Sequence, residues 1–159
     1  MTRYYDDSGI PGCIGIIPNP GDTIIFTGTQ IHIESAKYRG EQSERFAREC
    51  DFHFWFDDEK PELEIYTVPK MEVVGRDSCG GLFVCNGGSF LREEEPMYYL
   101  DQKRRCFRIA QNSRKFLDCG MKWRDSLIPS DAIEVFASKE EAKKKFNIID
   151  LKEPLEDML

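Results

Sequence analysis

The sequence predicts an α+β fold in a single domain: a largely antiparallel sheet, a meander of about five to seven strands, with two to four helices packed against it. Three observations lead there. Across residues 73–117, four short β-rich runs and one helical run are joined by glycine-rich or charged turns. Over residues 51–56, Phe52, Phe54 and Phe56 alternate with His53 and Trp55, the two-residue period of a strand with an aromatic core face. Helix-start signals stand at Asn112-Ser113 and at Ser138-Lys139-Glu140-Glu141.

Taken in order, residues 1–21 hold Gly9, Pro11, Gly12, Gly15, Pro18, Pro20 and Gly21. That density of turn formers predicts an irregular N-terminal segment, broken at most by a short strand over 14–17, with the α+β domain spanning 22–159. Between 23 and 33, Ile24, Phe26, Ile31 and Ile33 lie among β-branched neighbours with Gly28 mid-run, which reads as one bent strand or a hairpin. A polar stretch follows, divided by Gly40, and its marks at Phe46 and Ala47 suggest a short helix over 41–49. After a turn at 57–61, Leu63, Ile65, Tyr66 and Val68 read as a strand stopped by Pro69.

Residues 71–75 and 82–86 form the arms of a hairpin around Arg76-Asp77-Ser78-Cys79-Gly80-Gly81, and Gly87-Gly88 ends the second arm. Residues 97–100 and 106–110 flank a charged turn and complete the four-stranded meander. Asn112 or Ser113 caps a helix carrying Phe116 and Leu117, with Gly120 near its end. Ile133, Val135 and Phe136 mark a further strand. The Ser138–Glu141 capping box opens a helix over about 139–146, and the tail after Pro154 docks or frays.

Composition bounds the function. The chain is 40% hydrophobic and 12% aromatic, too apolar for disorder, and a domain of this length buries roughly 70% of its unfolded surface. Its first residues lack the apolar core of a secretory signal, and no run approaches the roughly 18 apolar residues of a membrane span. A cytoplasmic protein with no membrane partner is expected. Cys13, Cys50, Cys79, Cys85, Cys106 and Cys119 form no Cys-x-x-Cys pair and read as thiols used as small buried hydrophobes. Twenty-two basic side chains against 29 acidic give a net charge of −7, which repels the phosphate backbone and argues against nucleic acid. It suits solubility or a basic protein partner; oligomeric state is left open.

Candidate chemistries are few. The loop at 76–81 has the glycines of a protease nucleophile loop, but the chain is too short for two barrels and His32 and His53 are unsupported as bases. A hairpin turn with positive φ at Gly80 and Gly81 is the simpler reading. His32, His53 and the cysteines show no ligand spacing, so no metal is expected. Gly87-Gly88 precedes no helix and offers no phosphate cradle, so no cofactor is expected. Glu93, Glu94 and Glu95, with Asp57, Asp58 and Glu59, are acidic turns able to meet a basic partner, although such turns are usually solvated.

Val74-Gly75-Arg76-Asp77-Ser78-Cys79-Gly80-Gly81-Leu82-Phe83, then Pro96-Met97-Tyr98-Tyr99-Leu100, Ile109-Ala110 and Phe116-Leu117 resemble the second half of SUKH superfamily domains. These pair a glycine-containing hairpin with a Pro-Val-Tyr-like strand and a helix ending in Phe-Leu. The resemblance covers about a third of the chain, and the family's N-terminal helix and Leu-Pro-x-x-Tyr-like segment have no counterpart. It implies a non-catalytic protein-binding module: many members are immunity proteins that neutralise toxins, nucleases among them, and others are cytoplasmic regulators. In that case Asp57, Asp58, Glu93, Glu94 and Glu95 would rim an interface, with Trp55 or Tyr99 as aromatic anchor. The rival classes are a small thiol-dependent enzyme using Cys79 and an oligomeric structural protein without a dedicated ligand.

Overall fold

The computed structural model describes residues 1–8, 19–59, 61–86 and 95–151. The elements are β1 (Thr2–Asp6), β2 (Thr23–Thr27), β3 (Thr29–Ile31), β4 (Ile33–Glu34), α1 (Glu41–Cys50), β5 (Trp55–Phe56), β6 (Tyr66–Val68) and β7 (Met71–Arg76). They continue with β8 (Leu82–Cys85), β9 (Met97–Leu100), β10 (Cys106–Ala110), α2 (Ser113–Cys119), β11 (Ile128–Pro129), β12 (Glu134–Phe136), α3 (Lys139–Lys143) and β13 (Ile148–Asp150). Short 3-10 turns cover Ala36–Tyr38 and Gly120–Asp125.

The fold is α+β, built on a six-stranded sheet of order β11-β10-β9-β8-β7-β3. From β7 to β11 every neighbour is antiparallel; tight turns reverse the chain between β7 and β8 and between β9 and β10, and α2 with the 3-10 turn carries it back from β10 to β11. β3 joins the far edge parallel to β7. Smaller pairings frame this sheet: β13-β1-β2, which is parallel throughout, β12 with β6, and β4 with β5.

Both faces of the main sheet are covered, since alternate residues of β7–β10 are apolar on each side. On one face Val74, Phe83, Met97, Tyr99 and Ile109 meet Phe52, Phe116 and Trp123. Phe83 stacks 5.2 Å from Phe116 and 5.0 Å from Trp123, ring centre to ring centre, within the range of favourable aromatic pairs. The Trp123 indole N–H donates to the Cys50 carbonyl at 2.6 Å, which ties the 3-10 turn to the end of α1. On the other face Val73, Leu82, Val84 and Leu100 meet Trp55 and Ile133. A third cluster of Tyr66, Val68, Ala142 and Ile148 seats α3 and β13.

Several expectations change. Residues 2–6 form a strand where glycine and proline content predicts irregular chain, because β2 and β13 flank them with parallel partners; the strand expected over 14–17 lies outside the described residues. The run 23–33 is neither one bent strand nor a hairpin. Gly28 adopts φ 117°, open to glycine but rarely to other residues, and the chain steps there from the three-stranded sheet into the main one. Of the strand expected over 51–56 only Trp55 and Phe56 are laddered, with His53 bridging to Arg76, and Asp51 belongs to the end of α1. Both of its sides are buried: Phe52 faces α2, and Trp55 faces the covering segment with Leu63 and Ile65.

The helix starts follow the sequence closely. Asn112 caps α2 by accepting the Lys115 N–H at 2.9 Å, and Ser138 caps α3 by accepting the Glu141 N–H at 3.2 Å. The Glu141 carboxylate returns to the Ala137 N–H at 3.2 Å, one residue short of the capping-box partner. α3 ends at Lys143 rather than near 146, and β13, which carries no turn or alternation signal, follows it.

Candidate functional site at the hairpin loop

The β7–β8 loop is where titratable side chains converge. Asp77 follows β7, and its side chain is fully buried. One carboxylate oxygen accepts the Cys79 N–H at 3.0 Å and the Gly81 N–H at 2.7 Å. The other accepts the Tyr99 hydroxyl at 2.6 Å and lies 3.5 Å from the Arg124 guanidinium. Opposite stands Asp51, which ends α1 at φ 52°, a left-handed conformation that aspartate tolerates better than most residues. That turn aims its carboxylate at the loop, where Oδ2 accepts the Ser78 N–H at 3.1 Å and the Ser78 hydroxyl at 2.7 Å and pairs with Arg124. Its Oδ1 meets His53 Nε2 at 2.8 Å.

The electrostatics are mutual. Burial pushes the Asp51 carboxyl up, but the bonds from Ser78 and His53 and the Arg124 charge outweigh it and hold it below the usual range. Burial and the Asp77 carboxylate both push the Tyr99 hydroxyl well up. Burial works against the Arg124 charge, and Asp77 and Asp51 more than restore it. Two carboxylates thus share one guanidinium and fasten three distant segments: the end of α1, the hairpin loop and the 3-10 turn before β11.

This arrangement holds a shape; it leaves little for catalysis. An oxyanion hole needs backbone N–H groups aimed at a substrate, yet those of Ser78, Cys79 and Gly81 are already bonded to carboxylates. Cys79 is exposed, and His53 Nε2 is engaged by Asp51. Gly81 is required for another reason: a side chain there would place Cβ 2.0 Å from the Tyr99 hydroxyl oxygen. Gly80 has φ 85° as the turn demands, whereas Gly81 does not take positive φ.

The residues proposed as an interface are dispersed. Trp55 is 3% exposed and Tyr99 7%, so neither offers an anchor to a partner; each ring is consumed by the core, because the sheet is covered on both faces. Asp57 and Asp58 are on the surface turn after β5, but Asp57 accepts the Ala36 N–H at 3.0 Å and Asp58 is gripped by Arg39 through two bonds of 2.8 and 2.7 Å. Glu95 is half-buried ahead of β9, and Glu93 and Glu94 lie outside the described residues. Among the described residues no group of three or more potential ligands could hold a metal ion, and no helix is long and apolar enough to cross a membrane. A cleft of about 610 Å³ between β2 and β7 is lined by Ile24, Phe26 and Met71, with the Lys70–Asp7 ion pair at its mouth.

Sequence reasoning missed Arg124 and Asp51. Both are far in sequence from the hairpin loop they fasten, and 73 positions separate Arg124 from Asp51.

Among the described residues the large apolar side chains left exposed are Met1, Ile33, Tyr38, Met121, Leu127 and Ile128. Ile128, 61% exposed, is in β11 at the edge of the six-stranded sheet, Leu127, 37% exposed, directly precedes it, and Met121 is in the 3-10 turn Gly120–Asp125. Compared with known protein families, with curated proteins and with solved structures, the chain matches none.

Proposed function

We propose that this chain is a non-catalytic protein-binding module whose partner docks at the β11 edge of the six-stranded sheet. The observation that carries the reading is a contrast. The polar groups able to do chemistry near the loop are spent on one another, while Leu127 and Ile128 are adjacent large apolar side chains left in solvent at a sheet edge. Single exposed apolar residues are ordinary, but a group of them marks an interaction surface, and a free edge strand invites pairing unless it is blunted. The resemblance to SUKH domains supports the same class, with toxin neutralisation or cytoplasmic regulation as its narrower forms.

The test is capture on the tagged protein from lysate of its own source, run in parallel with Ile128→Asp. A stoichiometric partner held by the natural chain and lost by the variant supports docking at the edge. Equal retention overturns it. A second reading, a basic partner at the acidic turns, is favoured by the net charge of −7 and by the half-exposed Asp58. That reading predicts loss on Asp58→Lys and none on Ile128→Asp.

A further inference from the structure

We infer that a second copy of this chain pairs at the β3–β4 edge, strand to strand and antiparallel, with Ile33 on the twofold axis. The contact lies across the six-stranded sheet from β11 and is independent of the docking reading above.

Hydrogen-bond direction comes first. β3 and β4 make one continuous edge from Thr29 to Glu34, paired parallel to β7 and then to β5. The Gly28 and Glu34 carbonyls accept from Met71 and Asp57, and the His32 N–H donates to Val73. Even-numbered residues thus bond inward, and the alternation of a ladder turns the N–H and C=O groups of Ile31 and Ile33 outward. Among the described residues those outward groups have no partner.

The free stretch has definite ends. On one side β6 closes it, because the Gly28 N–H donates to the Thr67 carbonyl at 2.8 Å and the Thr67 N–H donates to the Thr29 hydroxyl at 3.1 Å. On the other side Ser35 is still extended, at φ −66° and ψ 135°, before the 3-10 turn begins. The open edge therefore runs over 31–35, and Ile33 is its centre. Natural edges are blunted by proline, lysine or a bulge. Residues 29–35 contain no proline or lysine and pair without a register shift, and Ile33 is 45% exposed.

Self-pairing follows from this register. In an antiparallel ladder outward-facing residues must meet outward-facing residues, so an axis at Ile33 sets it against the partner's Ile33 and sets Ile31 against the partner's Ser35. Between them His32 lies against the partner's Glu34, and Glu34 against the partner's His32. Imidazole and carboxylate are compatible neighbours within one copy already, where His32 Nε2 is 2.6 Å from Glu34. An axis at His32 would instead oppose two imidazoles. One strand edge buries little area, which makes the dimer a weak one.

Sedimentation equilibrium of the purified chain over a range of concentrations tests this. The expected result is a monomer–dimer equilibrium weakened about tenfold or more by Ile33→Asp and by Ile33→Lys, and restored when the two variants are mixed, because opposite charges then face each other across the axis. Ile33 is exposed, and unchanged thermal unfolding of both variants confirms that the fold is intact. A natural chain that stays monomeric up to its solubility limit overturns the inference. A dimer that survives both substitutions, or that the mixture fails to restore, overturns the pairing at Ile33. A dimer lost in Ile128→Asp but kept in the Ile33 variants overturns it in favour of contact between β11 edges.

Discussion

Replacing Asp77 with alanine isolates what holds the hairpin loop. The carboxylate accepts two backbone N–H groups and the Tyr99 hydroxyl. Cys79 is exposed and Gly81 is buried, so after the substitution water reaches the Cys79 N–H but not the Gly81 N–H or the Tyr99 hydroxyl. Each of those two buried donors, left unpaired, costs about 1–3 kcal/mol. Arg124 keeps Asp51 as its counter-charge, so no buried cation is stranded. The sum is about 2–6 kcal/mol, a large share of the roughly 5–15 kcal/mol that stabilises a typical domain. Urea unfolding followed by tryptophan fluorescence reads it directly, since Trp123 lies 5.0 Å from the Tyr99 ring. The midpoint should fall with an unchanged slope. Tyr99→Phe should cost less, and the double variant should cost less than the sum of the two, because they share a bond. A loss below about 1 kcal/mol for Asp77→Ala would refute the view that the carboxylate organises the turn.

Gly75→Ala should destabilise by about 1–3 kcal/mol, since its Cβ would fall 2.5 to 2.9 Å from three ring atoms of Phe52, which is fully buried and cannot swing aside; a neutral result in urea unfolding would show that ring free to move. On the acid side, Asp51 and Asp6 titrate lower in the folded chain than their ordinary value of 3.8. For Asp6 burial again pushes upward and is outweighed by bonds from Ser8 and Tyr66. Their stabilisation is thus complete above that value and is lost as pH falls through the folded pKa. Tm measured against pH should drop below about pH 4, less steeply in Asp51→Asn and Asp6→Asn; superimposable slopes would count against the linkage. Native-state alkylation at neutral pH should mark Cys79 and Cys119 and spare Cys85 and Cys106, whose thiols burial pushes up to about 12 and about 11. A rate at Cys79 far above that at Cys119, read by mass spectrometry, would instead favour the thiol-enzyme reading.

Strand and helix identity was written locally wherever a residue's neighbours in sequence were also its neighbours in space. β9 and β10 run over the residues the alternation marks, and Asn112 and Ser138 cap the helices they precede, because a capping bond spans three residues. Glycine signalled correctly that the chain changes course at 28, but not toward which sheet, since that depends on β1 and β13 arriving from both ends of the chain. The aromatic run told that one face was buried, and only the covering segment at Leu63 and Ile65 decided that Trp55 was buried too. The clamp of Asp51, Asp77 and Arg124 was illegible for the same reason: three charged residues scattered over more than 70 positions look solvated one at a time. They become one connected network only when the sheet brings α1, the hairpin and the 3-10 turn together.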